Sequence, residues 1–298
     1  MTKTDLFTIE KIYGEMPKRP EHLSVKTESC DPNFAAGNAT LKKQSLIIDL
    51  GESEATLNFT AIVPNTEGLY PAIVNLGFES NVPNRYLPAE EIIDRGYGIF
   101  HLSIEDITEN NANFKSGVAS AIARSRRKKT APGKLTVYAW ALGRIVESLM
   151  TDEAIDKDHI ILSGHGIAAV SALVAANYEC KANFVIANDP FAAFGGLSKS
   201  QFASQMAHLF CPAYADEPID DPIRELIANC KSKHILIGSA TEKPFFDLDY
   251  ESKITAAANQ NSAGKLFYYA RGGSEYFSRH DWNRYLDYID SIAKNRRF

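Results

Sequence analysis

No two cysteines of this chain stand in a CxxC pair. The four present, Cys30, Cys180, Cys211 and Cys230, are scattered through 298 residues. That spacing excludes a disulfide framework and a paired zinc motif, and it reads as free thiols in a reducing compartment. His208 and Cys211 are three apart, but no second pair accompanies them, so His208 is read as structural and no metal or cofactor is expected. Long apolar runs are missing too: no stretch approaches the length needed to span a bilayer. The opening Met-Thr-Lys-Thr-Asp-Leu has no apolar signal core, and a cytoplasmic location is the expectation. Nor is there an excess of positive charge. Lysine and arginine total 32 against 37 aspartate and glutamate, a formal net charge of -5, which leaves no footprint for nucleic acid or an anionic membrane. The Arg124–Lys129 run is the local exception, read as a solvated loop, with binding of a phosphate or acidic group as the sharper alternative. Repeats, low-complexity segments and interdomain linkers are absent.

What is present is ordinary globular material: 45% hydrophobic and 23% charged residues, enough for one large α/β domain. Residues 1–45 are polar and broken by Gly14, Pro17, Pro20, Pro32 and Gly37, and they read as an arm packed on a single domain of residues 46–298. Strand-like runs follow at Leu46–Leu50, Ala55–Val63, Ala72–Leu76, Tyr97–Ser103, Ile160–Leu162, Phe184–Ala187, His234–Ile237 and Lys265–Tyr269. Helical patterns lie at Pro88–Arg95, Leu135–Met150, Ala168–Ala176, Ser198–Phe210, Pro222–Asn229, Tyr250–Asn259 and Asp281–Lys294. The alternation predicts βαβ crossovers and a mostly parallel central sheet flanked by helices, an α/β fold. In the Leu135–Met150 helix, Val137, Trp140, Ala141, Ile145, Val146 and Leu149 recur at helical spacing, and Trp140 is read as core. The polar stretch from Glu105 to Gly133 is read as an excursion over the sheet's carboxyl edge.

One stretch organises the rest. Ile160-Ile-Leu-Ser-Gly-His-Gly-Ile-Ala168 runs from a buried strand through a tight turn into an Ala-rich helix. Gly164 and Ala168 are small at the two positions where strand and helix must approach, the frame of a nucleophile elbow. The central position, which needs Ser, Cys or Asp, is Gly166. Glycine tolerates the strained turn and can attack nothing. Ser163 is the alternative nucleophile, but it would set Ile161 and His165 at the small positions, and it reads as a strand-end serine bonded to backbone.

Taken together, the chain resembles the acetyl xylan esterase-like and glucuronoyl esterase-like branch of the α/β-hydrolases. The resemblance is carried by Tyr13-Gly-Glu-Met-Pro-Lys-Arg-Pro20, Pro71–Phe78, Arg95-Gly-Tyr-Gly98 with Glu105-Asp-Ile107, Tyr138–Arg144, His208-Leu-Phe210, Ser239–Glu242 and Asp281–Leu286, in order and along almost the whole chain. It implies an α/β-hydrolase fold and a carbohydrate-esterase ancestry. Against the family's Gly-His-Ser-Arg-x-Gly-Lys, this chain has Gly164-His-Gly-Ile-Ala-Ala-Val170, which loses nucleophile, arginine and lysine together. The catalytic histidine after two glycines is replaced by Ser274, or by Glu275 if a residue is inserted. Serine cannot shuttle protons as imidazole does. The acid member falls either at Asp189, after the Phe184–Ala187 strand, or at Asp247, with Glu242 and Asp249 as its alternatives.

The reading that follows is a catalytically inactive protein of this fold that acts by binding, with a small acyl or sugar-acid ligand implied by the resemblance. The alternative is an active carboxylic-ester hydrolase with a displaced nucleophile or base drawn from Ser163, Ser274, His280 and Asp247. A third is an oligomer subunit whose cleft is plugged by Phe191, Phe194, Phe245 and Phe246. Among the histidines, His165 is expected to be buried, hydrogen-bonded and pointed away from the attacking position, and His280 to lie at the surface or cap the last helix, reaching the pocket only if its loop folds back. The sequence leaves the oligomeric state open.

Overall fold

The structure is a computed structural model that describes residues 9–178, 181–190, 205–216, 222–230, 234–242 and 265–293. Nine strands form one mixed sheet: β1 His22–Phe34, β2 Ala39–Asp49, β3 Glu54–Pro64, β4 Tyr70–Gly77, β5 Gly98–Ser103, β6 Ile155–His165, β7 Phe184–Asn188, β8 His234–Ala240 and β9 Lys265–Arg271. Their spatial order is β1-β2-β3-β5-β4-β6-β7-β8-β9. The first three strands and the β3–β5 pair are antiparallel. From β5 onward every neighbour is parallel. The parallel part has the buried, apolar strands expected where both faces are covered.

Side chains alternate across the sheet, which divides the core in two. Val74, Leu76, Ile160, Leu162, Val185 and Ile237 face one layer. Ile73, Ile99, Ile161, Ile186 and Leu236 face the other. On the first face lie α2, Lys134–Leu149, and α3, Ile167–Asn177. On the second lie α1, Ala89–Asp94, and α5, Arg279–Ala293, which buries Trp282, Tyr285, Leu286 and Ile289. Every residue of α3 is buried, and its five alanines let it sit between the sheet and α2 without bulky side chains. A short helix, α4, covers Pro222–Asn229 and meets α3.

The arm requires a correction. Residues 22–34 and 39–49 are not draped over the domain but form the antiparallel edge of its sheet, hydrogen-bonded through β2 to β3. The sequence hid β1 because almost every one of its side chains is exposed, so no apolar alternation marks it. Residues 9–20 do pack on the domain: Ile9, Ile12 and Tyr13 enter the core. The Arg124–Lys129 run is exposed except at Arg126, whose guanidinium lies over Phe114 and donates to the carbonyls of Pro132 and Phe210. The expected Tyr250–Asn259 helix and most of the Ser198–Phe210 one lie outside the described residues.

Candidate functional site at the strand-to-helix turn

The turn between β6 and α3 lies at the carboxyl edge of the parallel strands. Gly166 is the residue before the helix, at φ 58° and ψ -123°. That is the mirror-image turn conformation glycine enters without penalty and side-chain-bearing residues rarely adopt. A Cβ added there meets no described atom within 4 Å. Gly164 is small for a different reason: its added Cβ would lie 2.5 Å from the Ala168 carbonyl carbon, so the strand and helix backbones touch at this point. The Gly166 N–H donates to the Asn188 carbonyl at 3.0 Å, which ties the turn to the end of β7.

The next residue, Asp189, is fully buried and holds φ 47°. Its N–H donates to the Gly238 carbonyl at 2.9 Å, and its carboxylate accepts from the Ala240 N–H at 2.7 Å. The opposite carboxylate oxygen lies 3.4 Å from an Arg271 guanidinium nitrogen. Arg271 in turn donates from Nε to Asp281 at 2.9 Å and from its other nitrogens to the carbonyls of Ser274 and Tyr276. Asp281 is fully buried and also accepts from the Tyr269 hydroxyl and from the Ser278 N–H and hydroxyl. Burial, reinforced by the Asp281 carboxylate, pushes the Tyr269 hydroxyl far above the usual phenol range, so it stays a donor. One cation thus holds two buried carboxylates and the backbone of the loop that carries Ser274. The serine itself is exposed, with only its carbonyl in this network.

Around His165 the loops after β4 and β9 close together. Its ring lies against Tyr86 at 5.9 Å, stacked, and against Phe78 and Phe277 at 6.4 Å each. Tyr86 also meets Tyr276 at 5.1 Å. The cavity these rings border with Asn75 and His101 has a volume of about 10 Å³, room for no more than a water. His165 is half-buried rather than buried. The aromatics that crowd this edge are therefore Phe78, Tyr86, Tyr276 and Phe277. The expected plugs Phe191, Phe194, Phe245 and Phe246 lie outside the described residues, as do Asp247 and Asp249. Glu242 is described, and its N–H donates to the Gly273 carbonyl.

Among the described residues, the displaced candidates do not form a hydrogen-bonded group at the turn. Ser163 is fully buried inside β6, and its hydroxyl donates to Asn75 Oδ1 at 2.8 Å, a side-chain partner rather than the backbone one expected. Asn75 Nδ2 reaches His101 Nδ1 at 2.9 Å, and His101 Nε2 reaches the Glu79 carbonyl at 2.7 Å. Since the Glu79 carbonyl can only accept, Nε2 carries the proton and Nδ1 accepts from Asn75. Burial holds the His101 pKa below the ordinary imidazole value, which keeps the ring neutral. The three residues are register neighbours on β6, β4 and β5, so the chain is a polar rung within the sheet. His280 is exposed and bonded to Arg284 one turn along α5. It takes the surface role, and the capping of α5 falls to Ser278 and Asp281. His208 pairs with Asn110 at 3.1 Å, and Cys211 donates to the Lys11 carbonyl. Arg271 and Asp281 were not singled out from the sequence. The signal for Asp281 was there, in Ser278-Arg-His-Asp281, a capping-box spacing just before an apolar helix.

No family model matches the chain, and no curated protein matches it. Solved structures do. A glucuronoyl esterase from Solibacter usitatus superimposes with a TM-score of 0.80 at 17% identity, over 96% of this chain and 91% of that one. A CE15 glucuronoyl esterase from Teredinibacter turnerae gives 0.78 at 18%, over 96% and 83%. The glucuronoyl esterase catalytic domain from Hypocrea jecorina gives 0.67 at 14%, over 95% and 79%. At these identities the likeness establishes the fold.

Proposed function

From an α/β-hydrolase fold with this turn, we infer that the protein binds rather than cleaves. The observation that carries the reading is Gly166 in the elbow conformation, with no side chain where a nucleophile would project. The rest of the corner supports it. Arg271 is committed to Asp189 and Asp281, so the acid position is neutralised by a cation instead of orienting an imidazole. Ser274, at the expected base position, has no proton-shuttling chemistry near neutral pH. The amides at the start of α3 point their dipole toward the space above Gly166, where an added Cβ meets no described atom within 4 Å, an environment that suits the carbonyl or carboxylate of a small acyl or sugar-acid ligand. Without an activated nucleophile such a carbonyl is polarised but forms no acyl-enzyme. Cytoplasmic location, from thiol usage, belongs to the same proposal.

The test is incubation with activated acetyl and glucuronate esters and with a fluorophosphonate probe. The expected result is no burst, no turnover above buffer and no labelling. Stoichiometric labelling mapped by mass spectrometry to Ser163 or Ser274 would overturn the reading in favour of a displaced-nucleophile esterase.

A further inference from the structure

A second pocket lies at the far end of α3 from the elbow. The helix runs 11 residues from Gly166, roughly 16 Å at ~1.5 Å per residue. There residues 14–20 reach the middle of α2 at Trp140 and the end of α3 at Tyr178. Trp140 Nε1 donates to the Lys18 carbonyl at 3.1 Å, and the Tyr178 hydroxyl donates to the Gly14 carbonyl at 2.6 Å, so this segment is fastened as a roof. Beneath it is a cavity of about 120 Å³. Its walls include Met16, Pro17, Trp140, Val146 and Met150, all apolar. Its charged groups are Arg19, Arg144 and Lys181 against a single carboxylate, Glu147. In a chain of net charge -5 that is a local reversal of sign.

Arg144 is the deepest of the cations, 8% exposed, with its guanidinium carbon 5.2 Å from the centre of the Trp140 ring. Glu147 places its Oε2, a buried oxygen, 3.2 Å from the Arg144 Nε, while the Glu147 side chain as a whole is 40% exposed.

Gly143 provides an independent observation. It lies within the 16-residue α2, where glycine costs about 0.5–1 kcal/mol relative to alanine. Neither usual reason for a helical glycine applies. Its φ is not positive, and an added Cβ meets nothing within 4 Å. It lines the pocket, so any longer side chain there would project into the cavity.

We propose that this pocket binds a small organic anion with an apolar body, an aryl or short-chain carboxylate. A dry cavity of ~150 Å³ holds a benzene ring, so the space here is on the scale of one ring or a short acyl chain. The planar guanidinium matches a carboxylate in bidentate fashion, and the Trp140 and methionine walls match the body. Inorganic phosphate would satisfy the charge and leave the walls bare.

The experiment titrates the full chain with benzoate, benzyl alcohol and inorganic phosphate by calorimetry and saturation-transfer NMR. Benzoate is expected to bind at least tenfold more tightly than either control. Gly143→Leu fills the cavity without touching a charge, and it is expected to weaken benzoate at least tenfold with no fall in Tm. Arg144→Gln, an independent variant, is expected to weaken benzoate and leave benzyl alcohol unchanged. The proposal is overturned if the natural protein shows no saturable benzoate binding, if Gly143→Leu binds undiminished, or if phosphate competes as strongly as benzoate.

Discussion

Replacing Gly166 by serine tests whether the turn holds a backbone conformation that a side chain strains. The new side chain meets no steric obstacle among the described residues, because an added Cβ has nothing within 4 Å. Any destabilisation therefore arises from holding φ 58° and ψ -123° on a residue with a Cβ, a strain on the order of 1–3 kcal/mol. An unfolding entropy of roughly 2.1 cal/mol/K per residue makes that a fall in Tm of about 2–5 °C for a chain of this length. Gly166→Ala carries the same strain and should fall equally. Gly164→Ala provides the contrast. Its backbone is unstrained, but its Cβ would meet the Ala168 carbonyl carbon at 2.5 Å, so it should cost at least as much through displacement of α3. Calorimetry on the three variants reads the difference. Equal stability of Gly166→Ser and the natural protein would refute the strained-turn argument. The serine variant should also stay unlabelled by a fluorophosphonate, since Arg271, not an imidazole, stands beside Asp189. Labelling would show that a base is within reach after all.

Arg271→Met should cost about 3–5 kcal/mol in chemical denaturation, because it leaves Asp189 and Asp281 buried without their shared cation; adding Asp281→Asn should recover part of the loss. Ser163→Ala should cost about 1–3 kcal/mol by stranding a buried Asn75 acceptor, with no change in any probe reaction. Burial depresses the pKa of both His101 and His208 in the folded state, while the unfolded chain titrates near ~6.5. The unfolded state therefore binds more protons in acid, and the stability these groups contribute is complete above that pH and lost as pH falls below it. Urea midpoints between pH 8 and pH 5 should drop less steeply in His101→Gln and in His208→Gln; identical slopes would contradict the depressed imidazole pKa values.

The parallel half of the sheet was readable because its strands are short apolar runs separated by helical patterns, as Ile160–Leu162 and Phe184–Ala187 illustrate. β1 was not, since a ribbon exposed on nearly every residue has no apolar period to detect. At the site, Gly164, Gly166 and Ala168 could be read directly, because an elbow's steric demand falls on residues adjacent in sequence. The Asp189–Arg271–Asp281 network could not, because pairing between residues 82 positions apart depends on strand order. The same holds for the aromatics around His165. Phe78, Tyr86 and Phe277 come from loops whose meeting is set by how β4 and β9 end, and no local pattern marks them in advance.

The polar rung of Ser163, Asn75 and His101 acts as a proofreading device for assembly of the sheet. Ser163 and Asn75 are 88 residues apart, and the paired stretches beside them, Ala72–Leu76 and Ile160–Leu162, are otherwise isoleucine, leucine, valine and alanine, which fit one another in many alignments. A slip of β4 by one residue would set Asn75 against Leu162 or Gly164 instead of Ser163 and turn its amide to the other layer. Each buried polar group stranded in this way costs about 1–3 kcal/mol. Apolar collapse brings these distant strands together without choosing an alignment, and three hydrogen-bonding side chains reject the wrong ones.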